Sequence, residues 1–362
     1  MNLQSLVVMK TVSGFLPFRL RIIYHLSRSN GSTIMTTKNK TKWRRKDCLG
    51  LRGVSREEIE LVLDTARSMK EIHTRSVKKV PTLRGKIAVT LFYEPSTRTR
   101  TSFELAATRL SADVVQISTS TSSVVKGETL IDTANNLRVM GIDVIIIRHD
   151  LSGAPHHLAR NIDIPVINAG DGTNEHPTQA LLDMFTIREH KGQLEGLTVA
   201  IVGDILHGRV AHSDMWGLLT MGAKVRFVGP PTLIPKEVRD FGVEVYHDLD
   251  EAIEGADVIN MLRIQRERMT SNFFPDPKEY SKIYGLNMER LKRANPNVLI
   301  MHPGPMNRGV EIMSDVADSK SSVILEQVTN GVAVRMALLY LLLSGDKEQP
   351  ERNSEDSPTL FE

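Results

Sequence analysis

The run Val144-Ile145-Ile146-Ile147, closed by Arg148 and His149, decides the fold class. Consecutive β-branched residues suit a strand covered on both faces, which is the situation inside a parallel sheet. Ile87–Phe92, Val114–Ile117, Pro165–Asn168, Val199–Val202, Val225–Val228, Val243–Tyr246, Val258–Met261 and Val298–Met301 read as further short strands. Amphipathic helical stretches separate them. This alternation predicts an α/β protein of open, doubly wound domains with mainly parallel sheets and helices on both sides. Ligands in such folds bind beyond the C-terminal ends of the strands.

A chain of 362 residues is long for one domain. The polar stretch Glu189-His190-Lys191-Gly192-Gln193 ends a helix that starts near Pro177, and a strand follows at once. We expect the domain boundary there, giving 43–185 and 186–330. A last helix, roughly Gly331 to Leu343, is apolar enough to pack against both domains and to belong with the first (331–344). Ser55 and Glu58 form the pattern of a capping box opening a helix through Ile59, Leu63, Ala66 and Met69. The tail 345–362 is polar and is expected to be disordered.

The net charge of +3 comes from one end. Residues 1–46 hold ten Lys and Arg and no acid, so the remainder has 36 basic against 43 acidic residues. No basic, aromatic-interleaved stripe marks the body, which excludes nucleic acid as the expected partner. Residues 1–42 read as a disordered or processed extension. Their Arg and Ser content fits an organelle import segment such as a plastid one, and the simpler reading is an upstream start codon, with Met9 and Met35 as further starts. The apolar run Val332–Leu343 is interrupted by Arg335 and is too short to cross a membrane. The single cysteine, Cys48, excludes an internal disulfide, fits a reducing, cytoplasmic setting and reads as a structural thiol.

Chemistry concentrates after the first strand. Pro95 stops it, and Ser96-Thr97-Arg98-Thr99-Arg100 opens a helix carrying Phe103, Ala106, Ala107 and Leu110 on one face. Unpaired N–H groups and the helix dipole make such a start an anion site. Hydroxyls and guanidiniums gathered there suit phosphate, with Arg98 best placed for a charge-assisted bond. Arg148 closes its strand at the ligand edge. His176 precedes a helix start, and Gln179 lies one turn on. His176 and Gln179, two neutral polar groups, can hold an amide-like carbonyl and its NH2.

Ser96-Thr97-Arg98-Thr99-Arg100 resembles the carbamoyl-phosphate signature of the aspartate and ornithine carbamoyltransferases, and the resemblance extends over about residues 43–344. It implies two doubly wound domains bridged by helices and a carbamoyl transfer from carbamoyl phosphate, without cofactor or metal. It implies that Ser96, Thr97, Arg98 and Thr99 hold the phosphate, with Arg100 in support. Arg148 and His176 would polarise the carbamoyl oxygen, and Gln179 would contact the carbamoyl nitrogen. Ser122 and Lys126, in a Ser-x-x-x-Lys-Gly-Glu pattern, correspond to residues that a neighbouring subunit inserts, which implies a homotrimer with shared sites. Larger assemblies with regulatory or dihydroorotase chains are compatible with that implication.

The turn Asp204–Ser213 sits where a dinucleotide-binding turn would, but Gly203 and Gly208 do not make G-x-G-x-x-G. It is similar instead to the family's turn that places an arginine, here Arg209, on the aspartate α-carboxylate. Arg263 and Gln265, after Val258–Met261, match the family's other aspartate contacts, and Lys126 would reach the same acceptor. Arg268 and Glu94 match a pairing across the domains. His302-Pro303-Gly304-Pro305 forms a rigid turn whose backbone at Gly304 and Pro305 can present a carbonyl oxygen to the attacking amine. Many relatives carry Leu where Gly304 stands. Ornithine as acceptor is the alternative, but it calls for a His-Cys-Leu-Pro turn, and the lone cysteine is far away at Cys48. A binding or regulatory relative without catalysis is a further alternative, disfavoured by the complete set Arg98, Lys126, Arg148 and His176.

Overall fold

The structure, a computed structural model, describes residues 42–118, 128–264 and 276–344. All nine strands read from the sequence are present among them. β1 (Ile87–Phe92), β2 (Asp113–Ser118), β3 (Val144–His149) and β4 (Val166–Asp171) form one sheet in the order β2-β1-β3-β4. β5 (Thr198–Val202), β6 (Lys224–Val228), β7 (Glu244–Tyr246), β8 (Val258–Met261) and β9 (Leu299–Met301) form the other, in the order β7-β6-β5-β8-β9. Every strand pair in both sheets is parallel. The reason is visible in β3, where Val144 through Ile147 have no exposed surface. Both faces of that strand are covered, so no polar alternation is needed.

The helices are α1 (Arg56–Lys70), α2 (Thr97–Arg109), α3 (Leu130–Val139), α4 (Ala154–Asn161), α5 (Pro177–Lys191), α6 (Arg209–Thr220), α7 (Leu249–Ala252), α8 (Pro277–Tyr284), α9 (Met288–Leu291), α10 (Ser314–Ala317) and α11 (Ile324–Leu343). The capping box is formed: Glu58 N–H donates to Ser55 Oγ, and Ser55 N–H donates to Glu58 Oε2 at 3.0 Å. One hydrophobic core joins the two sheets. It contains Leu63 of α1, Phe185 of α5 and Leu338 of α11 together with Ile146 of the first sheet and Ile201 of the second. The helices therefore bridge the halves.

One expectation changes. α11 starts at Ile324, a full two turns before Gly331. Glu326, Gln327, Thr329 and Asn330 break the apolar run in sequence, but Gln327 and Asn330 are buried and hydrogen-bonded, so the core tolerates them.

Each sheet has one point where the strand order reverses, between β1 and β3 and between β5 and β8. The segments leaving the C-terminal ends of these four strands carry Glu94–Thr99, Arg148, Gly208–Arg209 and Leu262–Arg263. All of them line one cleft. The topology alone thus brings both crevices of the doubly wound halves onto a shared site.

Candidate functional site

The cleft has a volume of about 380 Å³, large enough for two small molecules side by side. Its first wall is the start of α2. Ser96 occupies the N-cap in extended conformation, and its hydroxyl is not used to cap the helix. Thr97, Arg98 and Thr99 follow on the first turn, where the backbone N–H groups have no partner in the helix. Burial, and then the charge of Arg263, lowers the Arg98 guanidinium below the ordinary arginine range. The two arginines therefore share one local field, and an anion between them would relieve it. Arg100 lies over the Phe92 ring at 5.3 Å, a packing contact at the back of the turn.

Arg148 is held at the end of β3. Its Nη1 donates to Ala169 O at 3.2 Å, and its Nη2 lies 3.3 Å from Glu94 Oε1. His176 caps α5, and its backbone N–H donates to Ser213 Oγ at 2.8 Å. Ser213 in turn donates to Glu175 Oε2 at 2.8 Å, which also accepts the Leu51 N–H at 2.7 Å. Burial pushes the Glu175 carboxyl up to about 7. The His176 backbone is thereby anchored to α6, on the other half of the molecule. Gln179 lines the cleft and donates through Nε2 to Asp183 Oδ1 at 3.0 Å.

Arg209 is the first residue of α6 and is buried. Its Nη2 donates to both oxygens of Glu94, at 2.8 and 3.1 Å. One carboxylate after β1 therefore binds an arginine from each half, Arg148 and Arg209. Gly170 permits this approach. Its φ of +115° is open to glycine, and a Cβ there would lie 3.0 Å from the Arg209 guanidinium and 3.1 Å from Arg148 Nη1. Arg263 follows β8 on the same cleft. Gly304 and Pro305 close the opposite side, and a Cβ on Gly304 would meet the Arg98 guanidinium at 3.0 Å. The absence of a side chain at this position lets the turn lie directly against Arg98.

The structure thus gathers Ser96, Thr97, Arg98, Thr99, Arg148, His176, Gln179, Arg209, Arg263, Gly304 and Pro305 around one space. Ser122, Lys126, Gln265 and Arg268 lie outside the described residues. Sequence reasoning missed the grip of Glu94 on Arg148 and Arg209, the role of Gly170, and the floor supplied by α11 through Gln327 and Arg335. Arg335 Nη1 donates to Ser102 Oγ at 2.9 Å, and the guanidinium packs over Phe103 at 5.1 Å. Its signal was present: a lone charge within the apolar run Val332–Leu343. Among the described lining residues, five arginines face one acid, Glu94, so the cleft selects for anions. Burial pushes the thiol of Cys48 up to about 12, consistent with an inert structural residue.

Residues 46–189 match the family model of the aspartate/ornithine carbamoyltransferase carbamoyl-P binding domain. Residues 195–342 match the model of the Asp/Orn binding domain of the same family. The aspartate carbamoyltransferase catalytic subunit of Heliobacterium modesticaldum is 62% identical over 303 residues, covering 84% of this chain and 97% of the relative. That of Moorella thermoacetica is 63% identical over 301 residues, covering 83% and 98%. Among solved structures, aspartate transcarbamoylase from Trypanosoma cruzi in complex with carbamoyl phosphate and aspartate superposes with a TM-score of 0.76 at 32% identity, covering 83% of this chain and 98% of that one. Ornithine carbamoyltransferase from Pyrococcus furiosus gives 0.75 at 33% identity, with the same coverage. With both halves of its fold matched and its cleft built where the two sheets reverse, the chain belongs to the aspartate/ornithine carbamoyltransferase family.

Proposed function

We propose that this chain transfers the carbamoyl group of carbamoyl phosphate to L-aspartate, giving N-carbamoyl-L-aspartate and phosphate, the committed step of de novo pyrimidine biosynthesis. The observation that carries this reading is the convergence of an anion-binding helix start, a carbonyl-directed His176–Arg148 pair and two arginines from the second sheet on one cleft. Its identity to catalytic subunits of that name supports aspartate as the acceptor.

Residues 43–185 with 331–344 form the carbamoyl-phosphate domain in this reading, and 186–330 form the aspartate domain. Ser96, Thr97, Thr99 and the N–H groups of α2 hold the phosphate, and Arg98 neutralises charge growing on it as it leaves. Arg148 and His176 stabilise the oxyanion of the tetrahedral intermediate. Gln179 fixes the carbamoyl nitrogen. Arg209 and Arg263 bind the two carboxylates of aspartate, with Gln265 as a further contact, because guanidinium geometry matches carboxylate. The Gly304–Pro305 backbone orients the amine. The amine attacks the carbamoyl carbon, the C–N bond forms, the C–O bond to phosphate breaks, and the departing phosphate takes the amine proton. Holding both reactants in place supplies much of the acceleration.

The motif around Ser122 and Lys126 supports a homotrimer in which these residues complete a neighbour's site, and Lys126 then serves both substrates. Assembly with regulatory or dihydroorotase chains and a cytoplasmic location belong to the same reading. Among the described residues, no helix is long and apolar enough to cross a membrane. Ornithine fits less well: its cation would face Arg263, and the 302–305 turn contains no cysteine. The test is direct. Purified chain with labelled carbamoyl phosphate should carbamoylate aspartate and leave ornithine unmodified, and the reverse preference would overturn the acceptor assignment.

A further inference from the structure

Behind the cleft, Asp183 sits in the middle of α5 at 2% exposure. Its Oδ1 accepts two side-chain amide hydrogen bonds, from Gln179 Nε2 at 3.0 Å and from Gln327 Nε2 at 2.7 Å. An amide that turns its NH2 toward a carboxylate has its carbonyl facing the other way. The Gln327 carbonyl oxygen uses that orientation to accept the His302 N–H at 2.9 Å. His302 Nδ1 accepts the Gly304 N–H at 2.8 Å. The ring proton is therefore on Nε2, which faces Glu311 Oε1 at 3.1 Å, and His302 and Glu311 are both fully buried. A continuous chain of hydrogen bonds thus runs from Gln179 on α5, through α11, to the turn after β9.

We propose that Asp183 is a positioning residue whose single acceptor oxygen sets the amide orientation of Gln179 on one wall and, through Gln327 and His302, the place of Gly304 on the opposite wall. The inference rests on the function proposed above and assigns to one buried carboxylate the registry of carbamoyl contacts from both halves. Asp214 of α6 is buried nearby, and its Oδ2 accepts Asn260 Nδ2 at 2.9 Å. Burial raises both carboxyls, Asp183 to about 7 despite the hydrogen bonds from Gln327 and Gln179 and the charge of Arg335, and the charge of Asp183 raises Asp214 further. Oδ1 accepts both amides in either charge state, more firmly when the carboxyl is ionised.

The experiment compares Asp183→Leu, Asp183→Asn and Gln327→Leu in the full chain. Steady-state kinetics with carbamoyl phosphate and aspartate are read beside inhibition by inorganic phosphate. Asp183→Leu should lower kcat/KM for carbamoyl phosphate about 100-fold, because two amides lose their partner. Inorganic phosphate should still inhibit within about twofold of the wild type, since Asp183 does not hold the α2 start. Asp183→Asn, which keeps an oxygen acceptor, should recover about tenfold of the loss. Gln327→Leu, which breaks one arm and leaves Asp183 in place, should cost about tenfold. Unchanged kcat/KM in Asp183→Leu, or in Gln327→Leu should the first variant not fold, would overturn the proposal. So would parallel loss of phosphate inhibition without recovery in Asp183→Asn, because that pattern is general destabilisation. A wild-type chain that carbamoylates no acceptor overturns the functional reading itself, whereas an active wild type matched by Asp183→Leu overturns only the positioning role.

Discussion

The crevice beyond β1 and β3 and the crevice beyond β5 and β8 occupy equivalent places in their sheets, yet they are furnished differently. The first draws four adjacent groups from one stretch, Ser96 to Thr99, supported by the backbone of α2, and adds Arg148 from the end of β3. The second draws Arg209 and Arg263 from separate strand ends, with no shared local motif. A helix start offers several N–H groups at fixed spacing, which suits the clustered oxygens of a phosphate. Two separated guanidiniums suit two separated carboxylates. The contrast teaches that reversal of strand order fixes where a ligand binds, and the connecting segments fix which anion it is.

That contrast can be broken by substitution. Arg98→Ala should have the largest effect, lowering kcat about 100- to 1000-fold, because in the proposed mechanism the group acts on charge that develops in the transition state. Steady-state kinetics should show the aspartate KM far less affected. Arg263→Ala should act in the opposite sense. Losing a charge-assisted bond to a carboxylate should raise the aspartate KM about 10- to 100-fold and leave the carbamoyl phosphate KM nearly unchanged. Equal effects of the two variants on both substrates would erase the division between the crevices. Glu94→Gln should fall between the halves, because this carboxylate holds Arg148 and Arg209 together. A neutral amide weakens both grips, and kcat/KM for both substrates should fall about tenfold.

How much of this was legible in the sequence follows from how local each feature is. β3 was readable because burial on both faces leaves an unbroken apolar run, and the start of α2 was readable because its groups are adjacent. The first turns of α11 were not, since Gln327 and Asn330 look exposed until their partners Asp183 and Thr186, both on α5, are known. Glu94 was singled out only for a pairing with Arg268, through the family resemblance and not through any local pattern. Its function depends on Arg148 and Arg209, brought to it from β3 and α6 by topology that no local pattern encodes. Gly170 is a similar case: its requirement for a missing side chain comes from two guanidiniums distant in sequence.

Glu175 sharpens the comparison by testing the joint between the halves, with the smallest expected effect. It accepts the Leu51 N–H from the segment before α1 and the Ser213 hydroxyl of α6, and it neighbours His176. Its folded carboxyl is raised from 4.5 to about 7, chiefly by burial. Between those values the folded chain keeps a proton that the unfolded chain releases, so this group's contribution to stability is full below the window and is lost as pH rises through it. The slope is at most about 1.4 kcal/mol per pH unit. Glu175→Gln carries no titrating group there, so urea-unfolding free energies should decline less steeply with rising pH in the variant than in the wild type. Parallel slopes would mean that Glu175 is ionised in the folded chain. The tie between Ser213 and the α5 start would then be a charged hydrogen bond, and the two crevices would be joined more tightly than a neutral carboxyl allows.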